Sequence, residues 1–207
     1  MTCTGKLPLS IYWSFIIDST PDILGALRAA TAERHTKLDT GLAIGSEHGT
    51  LHDYREHLLM LRCWLAPLEA WLAGFDDGPQ LALPVVLRTP LIDADLADPA
   101  MQAGESMPQD AASWPVEASA AYRWGVVYVI EGSQLGGAVL YQRLKVALAP
   151  HPLAYLRGTP EGPGPRWRSF MQALKANVRT EGEVAEACRG ACDAFDRILA
   201  NAAVSSP

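Results

Sequence analysis

Two stretches of the chain hold residue types with chemistry to offer: a helix carrying His35, and the run Glu131-Gly132-Ser133-Gln134-Leu135-Gly136-Gly137. A histidine on the apolar side of a helix is either a hydrogen-bonded core residue or a metal ligand, since neutral imidazole keeps one nitrogen lone pair. Arg28 shares its side of the helix seven residues earlier, about 10 Å along the axis at 1.5 Å per residue. A ligand with a metal at its centre and negative charge at its rim would meet both. Three glycines inside a helix give up roughly 3 kcal/mol relative to alanine. Two compensations are open: a flat ligand lying against bare backbone, or close approach of another helix, because Gly132 and Gly136 form a small-x-x-x-small pair.

The elements that must position these residues read as helices. The first runs over residues 20–40, with Thr20 as N-cap, Pro21 at the first helical position and Asp22 at the positive end of the dipole. Leu24, Leu27, Thr31, His35 and Leu38 share one face, with Arg28 on its edge. A second helix opens with Thr50 as cap and Asp53 three residues on. It carries the stripe Leu51, Tyr54, Leu58, Leu61, Leu65, Leu68 and Leu72, and Pro67 predicts a kink near its end. A short helix over 90–96 follows a Thr89 cap, and 98–114 reads as a loop. Residues 115–148 form a long helical stretch interrupted by the glycine run. A Pro/Gly-rich loop leads to two more helices near 166–178 and 182–202. No strand-like alternation and no repeat is visible, so the class is all-α, with one domain over 20–207 behind an N-terminal arm, 1–19. The arm contains an apolar run, 7–17, but no small-x-small cleavage site follows it.

Composition narrows the function classes. Seventeen basic and 23 acidic residues give a net charge of -6, which argues against a nucleic-acid footprint and for a small molecule or a protein as partner. Residues 124–141 are nearly free of charge, yet Glu131, Ser133 and Gln134 at their centre argue against a membrane span. Cys3, Cys63, Cys188 and Cys192 form no C-x-x-C pair, so reduced thiols and a cytoplasmic setting are expected. His48, His52, Asp53, Glu56 and His57 offer a rival metal site, though they fall mostly off the leucine stripe and read as a solvated face. Arg143, Lys145, Arg166, Arg168, Lys175 and Arg179 are either scattered surface charge or a dock for an acidic electron donor.

Neutral imidazole is a common axial ligand of haem iron, and at this point two motifs resemble one family. The segment Leu27-Arg28-Ala29-Ala30-Thr31-Ala32-Glu33-Arg34-His35 is similar to the proximal helix of haem oxygenases. Tyr128-Val129-Ile130-Glu131-Gly132-Ser133-Gln134-Leu135-Gly136-Gly137 resembles the distal helix of their bacterial branch. The resemblance covers the chain from about 20 to 202. It implies a multihelical bundle with haem between a proximal and a kinked distal helix. The implied activity is cleavage of haem to biliverdin, carbon monoxide and ferrous iron, with dioxygen and electrons from a ferredoxin- or flavodoxin-type protein. A bacteriophytochrome is the implied recipient of the biliverdin where it is not a by-product of iron acquisition.

By the same resemblance His35 is the iron ligand, and Gly132, Gly136 and Gly137 line the distal face, with Ser133 near the water network there. Arg28 and Tyr128 meet the haem propionates, and Lys175 or Arg179 adds a second cation. One departure stands out: animal-type enzymes carry an aspartate where this chain has Ser133, and the adjacent Glu131 need not face the pocket. The competing readings are a haem-binding or haem-delivery protein of the same fold, a thiaminase-like relative with a nucleophilic cysteine, and a helical interaction module.

Overall fold

The computed structural model describes residues 22–46, 48–101 and 113–204. The arm 1–19 and the helix-entry pair Thr20 and Pro21 lie outside the described residues. The helices are α1 Ile23–Gly41, α2 Leu51–Leu72, α3 Pro79–Ala82, α4 Thr89–Leu96, α5 Ala120–Leu144, α6 Ala154–Arg157, α7 Gly164–Asn177 and α8 Glu181–Val204, with a 3-10 turn at Ala43–Gly45. Among the described residues there is no strand, and no helix is long and apolar enough to cross a membrane.

Local chemistry explains α2 well. The Thr50 side chain accepts from the Asp53 N–H while Asp53 accepts from the Thr50 N–H, the reciprocal cap its spacing predicts. Tyr54, Leu58, Leu61, Leu65 and Leu68 are all buried, and the helix continues through Pro67 to Leu72. Elsewhere the boundaries move. Asp22 is the N-cap residue of α1. Thr89 lies inside α4 rather than capping it, because its hydroxyl goes 2.7 Å to Glu69 on α2. α5 begins at Ala120, where the Ser119 hydroxyl accepts from the Tyr122 N–H, and the glycine run does not interrupt it: 25 residues stay helical.

α8 is the spine on which the site is hung. Its buried face is built from Ala187, Gly190, Ala191 and Ala194, small enough for α5 to cross backbone on backbone. A Cβ on Gly125 would lie 1.7 Å from the Ala187 carbonyl oxygen, and one on Gly190 2.1 Å from that of Tyr122. The close-packing role that Gly132 and Gly136 seemed equally able to play therefore belongs to Gly125 and Gly190. α1 runs along α8 in the same direction. The Cys192 thiol reaches the Ala30 carbonyl at 3.4 Å, and one turn on Arg34 forks onto Asp196 at 2.7 and 2.9 Å.

Candidate active site: a slot between two helices

Gly125, Gly132 and Gly136 share one face of α5, spaced seven and four residues apart. Over the first half of that face lies α8; beyond it the face is bare among the described residues. A Cβ on Gly136 would meet nothing within 4 Å, and one on Gly132 only the rim of Trp167, at 4.0 Å. Tyr128 continues the same edge and rests its ring on Trp167, 5.7 Å between centroids.

α1 stands opposite. Its Arg28 guanidinium lies beside the Tyr128 phenol: burial pushes that phenol up, and the neighbouring charge and hydrogen bond from Arg28 offset part of the rise. At the far end Arg143 of α5 donates to the carbonyls of Gly45 and Ser46, just past α1, at 3.0 and 3.1 Å. Two closures thus tie α1 to α5 in parallel, separated by the 15 residues from Tyr128 to Arg143, about 22 Å of helix. Between them the two helices scarcely pack on each other. The result is a slot between α1 and α5, with His35 carried by the one helix and Gly132 and Gly136 by the other.

His35 departs from the sequence reading. The buried stripe of α1 runs through Ile23, Leu27 and Thr31, with Arg34 and Leu38 half-buried. At about 100° per residue His35 lies some 80° from its centre, close to Arg28 in azimuth. Its side chain is 62% exposed rather than set in an apolar face, with the Phe195 ring 6.0 Å away at its base. Nδ1 faces Asp39 Oδ2 at 2.9 Å. A carboxylate there accepts from Nδ1–H, so in the neutral ring Nε2 keeps the lone pair. A planar metal-bearing ligand fits this set: a nitrogen donor on α1, backbone without side chains at Gly132 and Gly136 on α5, and a cation and a phenol at one end.

Ser133 and Gly137 lie further round α5, roughly 140° and 180° from Tyr128, and look toward α6. A Cβ on Gly137 would stand 3.7 Å from Leu156. The structure therefore separates the four residues into a slot-facing pair, Gly132 and Gly136, and an α6-facing pair. Glu131 turns away from the slot, as its position on the helix allowed. It is 3% exposed and clamped by Arg88 at 2.8 Å and by Arg166 at 2.9 Å. Arg166 also reaches the Pro84 carbonyl at 3.1 Å.

Other expected residues are placed differently. Lys175 is exposed in the last turn of α7, two turns beyond Trp167. Arg143 and Arg166 have structural partners, which removes them from a free basic surface. In the rival cluster His52 is exposed and Glu56 pairs with Arg55 at 2.7 Å. His57, read as solvated, is buried with no partner for Nδ1, because it points inward between Tyr54 and Leu61. Among the described residues no group of three acidic, histidine or cysteine side chains is placed to hold a metal. Cys63, Cys188 and Cys192 are free, and burial pushes each thiol up, the opposite of an activated nucleophile.

Asp39 and Tyr155 have no part in the sequence reading, and Gln134 enters it only within the glycine run and as a polar residue that argues against a membrane span. The i, i+4 spacing of His35 and Asp39 was there to be read. Nothing local marks Tyr155.

Three comparisons bear on this arrangement. The family model described as heme oxygenase matches residues 22–201. A heme oxygenase of Xanthomonas campestris pv. campestris (strain 8004) is 42% identical over 87 residues, 41% of this chain and 52% of that protein. The chain thus spans about half the length of the curated relative it matches. The NO- and CO-bound heme oxygenase of Neisseria meningitidis superposes with a TM-score of 0.69 at 24% identity, over 88% of this chain and 91% of that one. That likeness extends to the fold: an all-helical bundle. On the family match across nearly its whole length, the chain belongs to the haem oxygenase family.

Proposed function

We propose that the protein is a haem-degrading oxygenase, binding haem in the α1–α5 slot and opening it to biliverdin, carbon monoxide and ferrous iron with dioxygen and external electrons. One observation supports the reading: His35, its Nδ1 paired with Asp39, stands on a helix tied at both ends to α5, where a Cβ on Gly132 or Gly136 would meet no described atom closer than 4.0 Å. When bound, haem supplies both the redox-active iron and the ring that is oxidised.

The chain's own residues do the rest. His35 binds through Nε2, and Asp39 holds its tautomer and orientation. Gly132 and Gly136 let the α5 backbone come close to the plate and restrict the space above it. Arg28 and Tyr128 offer a cation and a hydroxyl to carboxylates at the slot's end. With Ser133 in place of an aspartate, proton supply runs through hydroxyls, backbone carbonyls and water. Of the cations considered for an electron-donor dock, Arg168, Lys175 and Arg179 are exposed, and a ferredoxin- or flavodoxin-type protein is the class of partner we assign. The three free thiols support a reducing, cytoplasmic setting.

One equivalent of hemin, followed by reductant in air with catalase present, tests the reading. Loss of the haem band with appearance of biliverdin is expected. A stable histidine-ligated haem that survives prolonged reduction overturns the activity and leaves a haem carrier; absence of binding overturns both.

A further inference from the structure

Behind α5 a buried polar chain leads to Ser133, about one turn before Gly136 and roughly 60° round the helix from it, and the functional reading above makes no use of most of it. It starts at Asp95 of α4, which is 0% exposed. Asp95 Oδ2 accepts from the Tyr54 hydroxyl at 2.6 Å and from the Tyr155 N–H at 2.8 Å, while Oδ1 accepts from the Ala154 N–H at 2.8 Å. A four-residue helix has too few internal hydrogen bonds to hold itself, so α6 is held by this carboxylate at its N-terminus. His151 assists, accepting from the Leu153 N–H at 3.1 Å, and Leu153 is held in a left-handed conformation at φ 48° while fully buried. A left-handed leucine costs about 1–2 kcal/mol, and the surrounding hydrogen bonds maintain it.

What this scaffold fixes is the Tyr155 side chain, which is buried against α5. Gln134 Nε2 donates to its hydroxyl at 3.1 Å and to the Ser133 hydroxyl at 3.3 Å, and Tyr155 and Ser133 are themselves within hydrogen-bonding reach. Arg88 and Glu69 are the charged groups that face the phenol. Burial pushes the phenol up, so it keeps its proton at working pH. The Gln134 amide, donating to both hydroxyls, bridges Tyr155 to Ser133. The Ser133 hydroxyl in turn spends its own proton on the Ile130 carbonyl at 2.8 Å, a bond that it must exchange to reach anything in the slot.

We propose that Tyr155, with Gln134, is a positioning residue for the distal face: through the Gln134 amide that binds both hydroxyls it sets the orientation of the Ser133 hydroxyl, and with it the hydrogen bonding offered to whatever occupies the slot. The inference rests on the slot being the haem site. It also explains how a chain without the distal aspartate keeps a defined polar group at that edge: Tyr155 and Gln134 hold a neutral hydroxyl where the animal-type enzymes have a charge.

The test uses the full-length ferric haem complex and the pH midpoint of its acid–alkaline visible-spectrum transition, which reports hydrogen bonding on the distal side independently of turnover. Tyr155→Phe keeps the ring and removes the hydroxyl; Gln134→Met removes the bridge. Each is expected to move the midpoint by about half a pH unit or more, the scale of one hydrogen bond. Both should shift in the direction that Ser133→Ala does, with hemin affinity unchanged within twofold. The double variant of Tyr155→Phe with Ser133→Ala is expected to shift no further than Ser133→Ala alone, because residues acting through one group are not additive. Wild-type midpoints in both Tyr155→Phe and Gln134→Met, or additive shifts in the double variant, overturn the proposal. Failure of the wild-type protein to bind hemin through histidine overturns the slot assignment instead, and is read before any variant is made.

Discussion

His35 Nδ1 and Asp39 Oδ2 are 2.9 Å apart across one turn of α1, both side chains largely open to solvent. An exposed pair of this kind adds little to folding stability. Its consequence is directional: in the neutral ring the carboxylate favours the proton on Nδ1 and leaves Nε2 as the free donor atom. A positioning contact of this sort is usually felt at a metal as a tenfold to hundredfold change in affinity.

His35→Ala is therefore expected to abolish the histidine-ligated haem spectrum and turnover, and added imidazole should restore the spectrum. Asp39→Asn should keep ligation and weaken hemin affinity by roughly tenfold. Hemin titrations followed in the Soret region check both. Wild-type turnover by His35→Ala without imidazole would remove His35 from the site.

The two classes of glycine on α5 give opposite outcomes. Gly136→Ala puts a methyl into open space and should raise thermal stability by up to about 1 kcal/mol. Gly136→Leu should leave melting unharmed while cutting hemin affinity. Gly125→Ala collides with the Ala187 carbonyl and should cost about 3 kcal/mol. Thermal melts beside hemin titrations separate them; a stable Gly125→Ala protein would mean the α5–α8 crossing is misread.

Glu131 carries two arginines in a nearly dry setting. Glu131→Gln leaves Arg88, 6% exposed, without its counter-charge and is expected to destabilise by about 3 kcal/mol in urea unfolding. Arg166→Ala should cost less, because Arg166 is 28% exposed and its loss still leaves Arg88 to neutralise the carboxylate.

Burial lowers His57 to about 4, below the ordinary histidine value of 6.5. The unfolded chain then takes up a proton on His57 before the folded one does, so the stabilisation is whole above about pH 6.5 and is lost as pH falls toward 4. The full loss is about 3 kcal/mol. His57→Leu should flatten that part of the stability–pH curve relative to wild type, measured by urea unfolding between pH 7 and 4. Parallel curves would show that His57 is not buried as a neutral ring.

The helices were legible where their signals are local. The Thr50 and Asp53 cap and the leucine stripe of α2 lie within a few residues of what they determine, and they appear as read. Thr89 was misplaced as a cap because its hydroxyl bonds to Glu69, 20 positions earlier, and no local pattern records that. His57 was taken for a surface residue and His35 for an apolar-face one. A helical stripe gives relative azimuth, whereas burial depends on which neighbour covers each side.

By itself, then, the sequence determined the all-helical class, the order of the helices, and the presence of an imidazole on one and a glycine run on another, since capping, periodicity and propensity act within four or five residues. The tertiary structure decided which glycines pack and which stay bare, because that turns on where α8 crosses α5. It also decided that Gly132 and Gly136 lie beyond the reach of α8 and that the His35 side chain stands largely open to solvent. The slot exists because Arg28 meets Tyr128 at one end and Arg143 meets Gly45 at the other, pairs about a hundred residues apart in the chain whose meeting is set by packing on α8.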